Sequence, residues 1–480
     1  MYMLVFLILV LSLVLRLVNI NQSLWLDEAI GAIAVRDFSY TGIVTEFMRF
    51  DNHPPLYYLV LKLWTDIFGY SELSLRLPSV IFGVGTVALV YLIAKRMVAK
   101  SVILYPILSA IFLATSPFHI YYSQEARMYS LSAFLVSLVF YLFLKLTNED
   151  KYINWFYFAL SVVLLAFSDY VPVFVFPVFW IMALGVNKKG WRIKFLLSHI
   201  PLLILGALWV PTFIHQSGRG AWLLFTLPAW GGLAGGATLK QALLIISKFV
   251  LGRISFSNKT MYYILIFLAS IPFGYLFFKS FQKIKNIRYV FLWFIAPLIL
   301  GFVASFKTPI FIYFRFLYVV PAFYLIIAWG VLGISNSHLK KAPIVLILTV
   351  NLLGLAIYYF DKNQQREEWR QSVKFVEEIV KENEVIVFNY PEPFAPYKWY
   401  KESDNVAFGA TDSISADGEK TSLKTQNIVS KKDGVYYFEY LDDITDPESI
   451  VIDSLKNEGF KVKEVYNFRG VGQVFYYKKI

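Results

Sequence analysis

The chain has 480 residues, of which 58% are hydrophobic, 18% aromatic and only 16% charged, with mean hydropathy +0.57 and formal net charge +12. Soluble globular chains are about a quarter charged, so most of this one belongs in lipid. The absence of cysteine excludes disulfides, thiol nucleophiles and Cys-ligated zinc. A nucleic-acid footprint is excluded by where the charge lies: residues 1–360 hold 28 basic and 11 acidic side chains, residues 361–480 hold 17 and 22. The basic excess sits in the apolar part, which makes it a topology signal.

A spanning helix needs roughly 20 apolar residues, and such stretches recur from residue 3 to residue 360. The first, 3–20, lacks a basic start and a small-x-small cleavage site and carries Arg16, so it reads as a retained anchor. In the following outer segment, 21–72, residues 54–69 open on Pro-Pro and carry Lys62 and Asp66, which suits a helix lying on the membrane surface. Further spans are expected at 73–95, 101–118, 129–146, 153–168, 170–186, 195–212, 260–279, 289–305, 316–334 and 342–360, with a long outer loop at 213–259.

Lysine and arginine accumulate in short cytoplasmic loops. Five clusters, Lys95/Arg96/Lys100, Lys145/Lys151, Lys188/Lys189/Arg192/Lys194, Lys279/Lys283/Lys285/Arg288 and Lys340/Lys341, separate successive pairs of spans. Placing all five inside gives eleven spans, an inner N-terminus and an outer tail. Nine of the eleven membrane-part acids then lie outside, so the chemistry is expected to face outward.

Beyond Asp361 the sequence turns charged and turn-rich. Residues 366–382 place Trp369, Val373, Val376 and Val380 on one helical stripe. Segments 384–390 and 434–440 and the pair VKEVYNF and GQVFYYK read as strands, with a helix near 447–458 and an irregular stretch from about 402 to 432. The expected architecture is an α-helical polytopic membrane part, 1–360, and a small extracytoplasmic α/β domain, 361–480.

Four constellations could carry chemistry. Asp27 and Glu28 open a surface helix and point about 100° apart. One is suited to act as a general base, although acids in a first turn also simply offset the helix dipole. Asp51 and His53, ahead of Pro54-Pro55-Leu56-Tyr57-Tyr58, could orient a phosphate or, with Glu28, ligate a divalent cation. Between spans three and four, Tyr122, Glu125 and Tyr129 share a helical face, and Glu125 with Arg127 forms either a functional pair or a loop staple. The outer cations Arg219, Lys240, Lys248, Arg253, Lys259, Lys307 and Arg315 break the positive-inside bias. A lipid phosphate is their natural partner, with plain headgroup contact explaining the 240–253 stretch equally well.

Leu-Asp-Glu (26–28), His-Pro-Pro-Leu-Tyr-Tyr (53–58), Ser-Glu-x-x-x-Arg-Leu-Pro-Ser (71–79) and Ser-Pro through Gln-Glu-Ala-Arg-Met-Tyr (116–129) together resemble the protein O-mannosyltransferase and aminoarabinose transferase-like glycosyltransferases, which have the GT-C fold. The likeness is strong to about residue 145 and diffuse after it, where Phe314-Arg315-Phe316-Leu317 with Pro321 and then Glu368-Trp369-Arg370 continue it. The resemblance implies transfer, with inversion, of a sugar from a polyprenyl-phosphate carrier to a hydroxyl of a protein, lipid or glycan acceptor on the outer face of the cell membrane. It implies Asp27 as catalytic base, Glu28 in support and Glu125 as another acceptor-side carboxylate. His53, Tyr57, Tyr122, Arg127, Tyr129, Lys307 and Arg315 form the implied sugar and lipid-phosphate set. His53 stands where aminoarabinose transferases carry lysine, and Asn52 where they carry a metal-binding acid.

Two rivals belong to other classes. A transporter or flippase places ionisable groups near the bilayer midplane on broken helices, whereas the middles of these spans are almost uncharged. A non-catalytic scaffold leaves the acids of three outer loops unexplained.

Overall fold

The computed structural model describes residues 2–403 and 407–480. They divide into two compact units, one of Met1–Ile20, Tyr40–Gln216 and Ala234–Gln364, the other of Asn21–Ser39, Ser217–Leu233 and Gln365–Ile480.

The first unit is helical. All eleven expected segments form helix, and seven helices are long and apolar enough to cross a membrane: Glu72–Met97, Tyr129–Leu146, Trp191–Thr226, Lys259–Phe281, Ile284–Ala304, Tyr313–Leu332 and Ser337–Phe360. The pair Leu104–Ala114 and Pro117–Ser123, bent by 58°, makes an eighth if counted as one span, and Tyr2–Leu17, Tyr152–Ala166 and Val171–Leu184 are shorter apolar helices. Apolarity alone does not say which helices are central. Burial does: the apolar window is 83% buried in Tyr313–Leu332 and 72% in Tyr129–Leu146, but 17% in Trp191–Thr226, whose surface is left for lipid. Small residues allow close approach; a Cβ on Gly330 would stand 2.2 Å from the Leu276 carbonyl oxygen.

Three of the basic clusters meet at one end of the bundle, through Arg96 to Glu149 at 2.8 Å and Lys194 to Asp150 at 2.8 Å. The segment expected to lie on the membrane surface forms helix Leu56–Phe68, and its Asp66 accepts from Lys62, Tyr40 and Tyr70. One expectation needs correction. The span placed at 195–212 runs on as helix to Thr226, and Trp230–Ala234 and Leu239–Leu251 are helices too, so 213–259 is not a loop. Arg16 of the first segment is fully buried in the last turn of helix Tyr2–Leu17 and donates to the Ser12 hydroxyl at 2.7 Å, the Ala114 carbonyl at 3.3 Å and His119 Nδ1 at 2.7 Å.

The second unit holds a five-stranded sheet: β1 Glu384–Phe388, β2 Ala407–Gly409, β3 Gly434–Phe438, β4 Phe460–Phe468 and β5 Gly472–Lys479, in the order β2-β1-β3-β5-β4. β1 pairs in parallel with β2 and β3, while β5 runs antiparallel to β3 and β4. β1 and β3 are buried throughout, which is why they read as continuous apolar runs. Helix Trp369–Ile379 packs on one face with Phe394, Tyr397 and Tyr440, and Val429, Val451 and Leu455 cover the other. The stretch expected to be irregular holds β2 and helix Gly418–Val429, whose buried stripe is Thr421, Thr425 and Val429 and so lacks an apolar period; residues 404–406 lie outside the described residues. Helix Leu26–Asp37 belongs to this unit, with Leu26 packed into its core.

Past the end of β3, burial pushes the Asp442 carboxyl up to about 7 although Tyr437 and Asn389 donate to it. Burial also raises Asp446 and Glu439. The folded domain therefore keeps protons that the unfolded chain releases in the ordinary carboxylate range, so its stability falls as pH rises from that range through about 7. Amide exchange across residues 434–446, corrected for intrinsic rates, should be slower near pH 5 than near pH 8. Faster exchange at the lower pH would contradict this sign.

Candidate functional site

In the first unit, the loop entering helix Leu56–Phe68 folds on Asp51. Its carboxylate accepts from the His53 backbone and ring, both at 2.8 Å, and from the Tyr58 hydroxyl at 2.9 Å, while Arg127 donates to Tyr58 at 3.0 Å. Burial pushes the Asp51 carboxyl up, but His53, Arg127 and the Tyr58 hydroxyl outweigh it and hold it below the ordinary range. The tyrosine in this network is thus Tyr58, which the sequence reading passed over. Tyr57, fully buried, shares a hydrogen bond of 3.0 Å with Ser79.

Helix Pro117–Ser123 stops before Glu125, and residues 124–128 make a turn before Tyr129–Leu146 begins. Tyr122, Glu125 and Tyr129 therefore do not lie on one continuous helix, contrary to expectation. Tyr122 and Tyr129 are nonetheless brought together, 5.7 Å between ring centroids, with Phe314 5.3 Å from Tyr129. Glu125 and Arg127 are both buried on the turn.

The arginine that reaches this turn is Arg253. Helix Leu239–Leu251 ends at Gly252 with φ +79°, a left-handed stop that suits glycine. A Cβ there would meet Pro117 at 2.7 Å. The turn sends Arg253 onto Tyr121, whose hydroxyl accepts from it and whose ring lies 5.0 Å below the guanidinium. The charge of Glu125 acts on the same guanidinium. One helical turn earlier, Lys248 is buried and donates to the Ile254 carbonyl at 2.5 Å and the Tyr262 hydroxyl at 3.1 Å. Burial first, and then the charges of Arg253 and Lys259, lower its ammonium to about 7. The sequence favours Lys307 and Arg315 for a phosphate and explains the 240–253 stretch, with Lys248 and Arg253, equally well by headgroup contact; the glycine between the two was the available signal. Arg315 instead reaches the Pro309 carbonyl at 3.5 Å, and Lys307 is exposed.

In the second unit, Asp27 and Glu28 occupy the first turn of helix Leu26–Asp37 and differ as their angular separation requires. Asp27 is partly exposed, whereas Glu28 is fully buried with its carboxylate 3.9 Å from the guanidinium of Arg366, itself buried. Glu367 accepts from the Trp369 indole at 2.8 Å and the Tyr440 hydroxyl at 3.3 Å. Burial first, then the charges of Glu367 and Asp27, hold the Tyr440 phenol well above its ordinary range.

Of the expected divalent-cation set, Asp51 and His53 lie in the first unit and Glu28 in the second. Among the described residues no group of three or more His, Asp or Glu side chains gathers to hold a metal ion. Asp51 and His53 satisfy each other, and Glu28 faces an arginine.

Residues 52–215 match the family described as dolichyl-phosphate-mannose-protein mannosyltransferase. An uncharacterized protein of Aquifex aeolicus (strain VF5) is 24% identical over 356 residues, covering 71% of this chain and 65% of that protein, so the match spans just under two thirds of the relative's length. ArnT from Cupriavidus metallidurans, in its structure bound to undecaprenyl phosphate, superposes over 100% of this chain and 98% of its own with a TM-score of 0.58 at 10% identity. The chain has the GT-C glycosyltransferase fold. An oligosaccharyltransferase of Archaeoglobus fulgidus shares it, with a TM-score of 0.54 at 11% identity over 100% of this chain and 74% of that one. With seven helices long and apolar enough to cross a membrane, the chain is an integral membrane protein with a small C-terminal sheet domain.

Proposed function

We propose that this GT-C protein is an inverting glycosyltransferase that moves a sugar from a polyprenyl-phosphate carrier to an acceptor hydroxyl on the outer face of the cell membrane. The observation that carries the reading is the Lys248 and Arg253 cluster. Two cations lie close enough for one to depress the other, among Tyr121, Tyr262 and Tyr313, with Glu125 acting on the arginine. Cations gathered at such cost suit a phosphate, which an arginine can bind through two parallel hydrogen bonds. The family match over residues 52–215 and the full-length likeness to a structure holding undecaprenyl phosphate support the same chemistry.

A lipid phosphate is already a workable leaving group. The protein then has to align donor and acceptor, stabilise the charge that develops on the phosphate, and take one proton. In the proposed step the acceptor oxygen bonds to the anomeric carbon from the face opposite the phosphate. The bond from that carbon to the phosphate oxygen breaks with its electron pair, and the hydroxyl proton passes to Asp27. Arg253 stabilises the departing phosphate, with Lys248 behind it. Arg127, tied through Tyr58 to Asp51, fixes the neighbouring loop, and Tyr122 and Tyr129 offer ring faces to the sugar. Arg315 and Lys307 stand as further phosphate contacts.

The reading is tested with purified protein in nanodiscs, given polyprenyl-phosphate-linked sugars, including dolichyl-phosphate mannose, and a panel of hydroxyl acceptors. Carrier phosphate should be released in step with a glycoside of opposite anomeric configuration. Movement of labelled lipid across the bilayer without release from any donor would favour the flippase reading instead.

A further inference from the structure

The residue next to the proposed base is locked to the C-terminal domain. Glu28 is fully buried, 3.9 Å from the guanidinium of Arg366. Arg366 is in turn fixed at its backbone on both sides. Its N–H donates to the Gln22 side chain at 2.7 Å, and its carbonyl accepts from Arg469 Nε and Nη2 at 3.1 and 2.9 Å. Arg469 is itself held by Glu368 at 3.1 Å. The same strand of chain is pinned again by Ser23, which donates to the Glu367 carbonyl, and by the Leu24 N–H, which donates to Tyr400 at 2.7 Å. Arg36, at the far end of helix Leu26–Asp37, lies 5.2 Å over the ring of Trp399. The segment carrying Asp27 is thus clamped at both ends, and the charge beside it is placed by the tail of the chain.

We propose that Arg366 is a positioning residue through which the C-terminal domain sets the orientation and basicity of Asp27: it neutralises Glu28, so that Asp27 is presented beside one compensated carboxylate and not an open one. The electrostatic reasoning is direct. Asp27 and Glu28 are adjacent like charges, and like charges at short range disfavour ionisation of both. Glu367 adds a third carboxylate, since it and Asp27 both act on the Tyr440 phenol. Arg366 supplies the compensating buried cation. Among the described residues, Tyr400, Arg370, Glu368 and Arg469 also stand near the helix start and are engaged with Leu24, Asn21, the Arg469 backbone and Arg366 respectively. This rests on the reading of Asp27 as base.

The prediction has opposite signs for the two partners, which a purely structural contact does not produce. Removing the cation in Arg366→Gln leaves Asp27 beside an open carboxylate and favours its protonated form. Removing the acid in Glu28→Gln takes away a carboxylate facing that cation and favours the Asp27 carboxylate. Carbodiimide with an amine nucleophile modifies protonated carboxyls, so its rate at Asp27 reads this balance in the full-length protein in nanodiscs, with no donor or acceptor present. At a fixed pH near 5.5, peptide mass spectrometry should find Asp27 labelled about threefold faster in Arg366→Gln and about threefold slower in Glu28→Gln, equivalent to roughly half a pH unit each way. Arg366→Lys, which keeps the charge, should label like wild type. Faster labelling in both variants shows mere loosening of the helix, and unchanged labelling in both shows no electrostatic link; either overturns the proposal. Failure of the base assignment shows separately, as full sugar transfer by Asp27→Asn with the labelling pattern intact.

Discussion

Asp27→Asn is expected to lower sugar transfer by about 10²- to 10⁴-fold, the usual worth of a positioned general base, with the KM for donor little changed. Asparagine is close to isosteric and keeps an oxygen on the partly exposed side of helix Leu26–Asp37, so the loss isolates the proton acceptor and not the fold. The competing account, in which the first-turn acids only offset the helix dipole, predicts something different. That role is worth about 0.3–1 kcal/mol of stability and nothing in turnover. Trp25, the residue before the helix, offers no side-chain cap, so the dipole account has substance and the comparison is a fair one. Single-turnover measurement at saturating donor, beside a thermal unfolding scan, separates them. A variant with wild-type turnover and a slightly lowered midpoint would sink Asp27 as base.

Arg253→Gln should reduce kcat/KM for donor by about 10- to 150-fold, since a hydrogen bond to a charged group contributes about 1.5–3 kcal/mol. Glutamine can still meet the Tyr121 hydroxyl, so packing against helix Pro117–Ser123 survives while the charge is lost. The loss should fall on both KM and kcat, because the phosphate gains charge as it leaves. Arg253→Lys should recover part of it, lacking the bidentate fork. Arg315→Gln should cost less, because Arg315 spends its reach on the Pro309 carbonyl. If Arg315→Gln is the more damaging of the two, the phosphate has been placed on the wrong arginine.

The helices and strands were legible because their signals are local. Twenty apolar residues, a basic cluster, or an apolar run such as Val385–Phe388 each declare themselves within one window. Helix Leu56–Phe68 was legible for the same reason, from Pro-Pro and the Lys62 and Asp66 pair. What escaped depends on distant partners. Nothing near Arg253 announces Tyr121, 132 positions away, and nothing near Arg366 announces Glu28. Tyr57 and Tyr58 are indistinguishable in sequence, yet Ser79 takes one hydroxyl while Asp51 and Arg127 share the other. The candidate cation ligands show the same dependence. Asp51 and His53 are two residues apart, a spacing that serves ligation and mutual hydrogen bonding equally, and only their geometry shows the second. Helix Gly418–Val429 was missed because threonines fill its inner stripe.

The unit built around the β-sheet draws on Asn21–Ser39, Ser217–Leu233 and Gln365–Ile480. A ribosome releases the first of these hundreds of residues before the last, so helix Leu26–Asp37 leaves the translocation machinery with Glu28 unneutralised and Leu26 uncovered, and it waits there for the whole membrane part to be made. Closure of this unit is therefore among the final events of biogenesis, a long-range contact of the kind that forms late. Chains terminated between Asp361 and Gln365 would keep every apolar helix up to Ser337–Phe360, yet would present a half-made Asp27 helix to quality-control proteases. Completion of synthesis is in this sense built into the assembly of this unit.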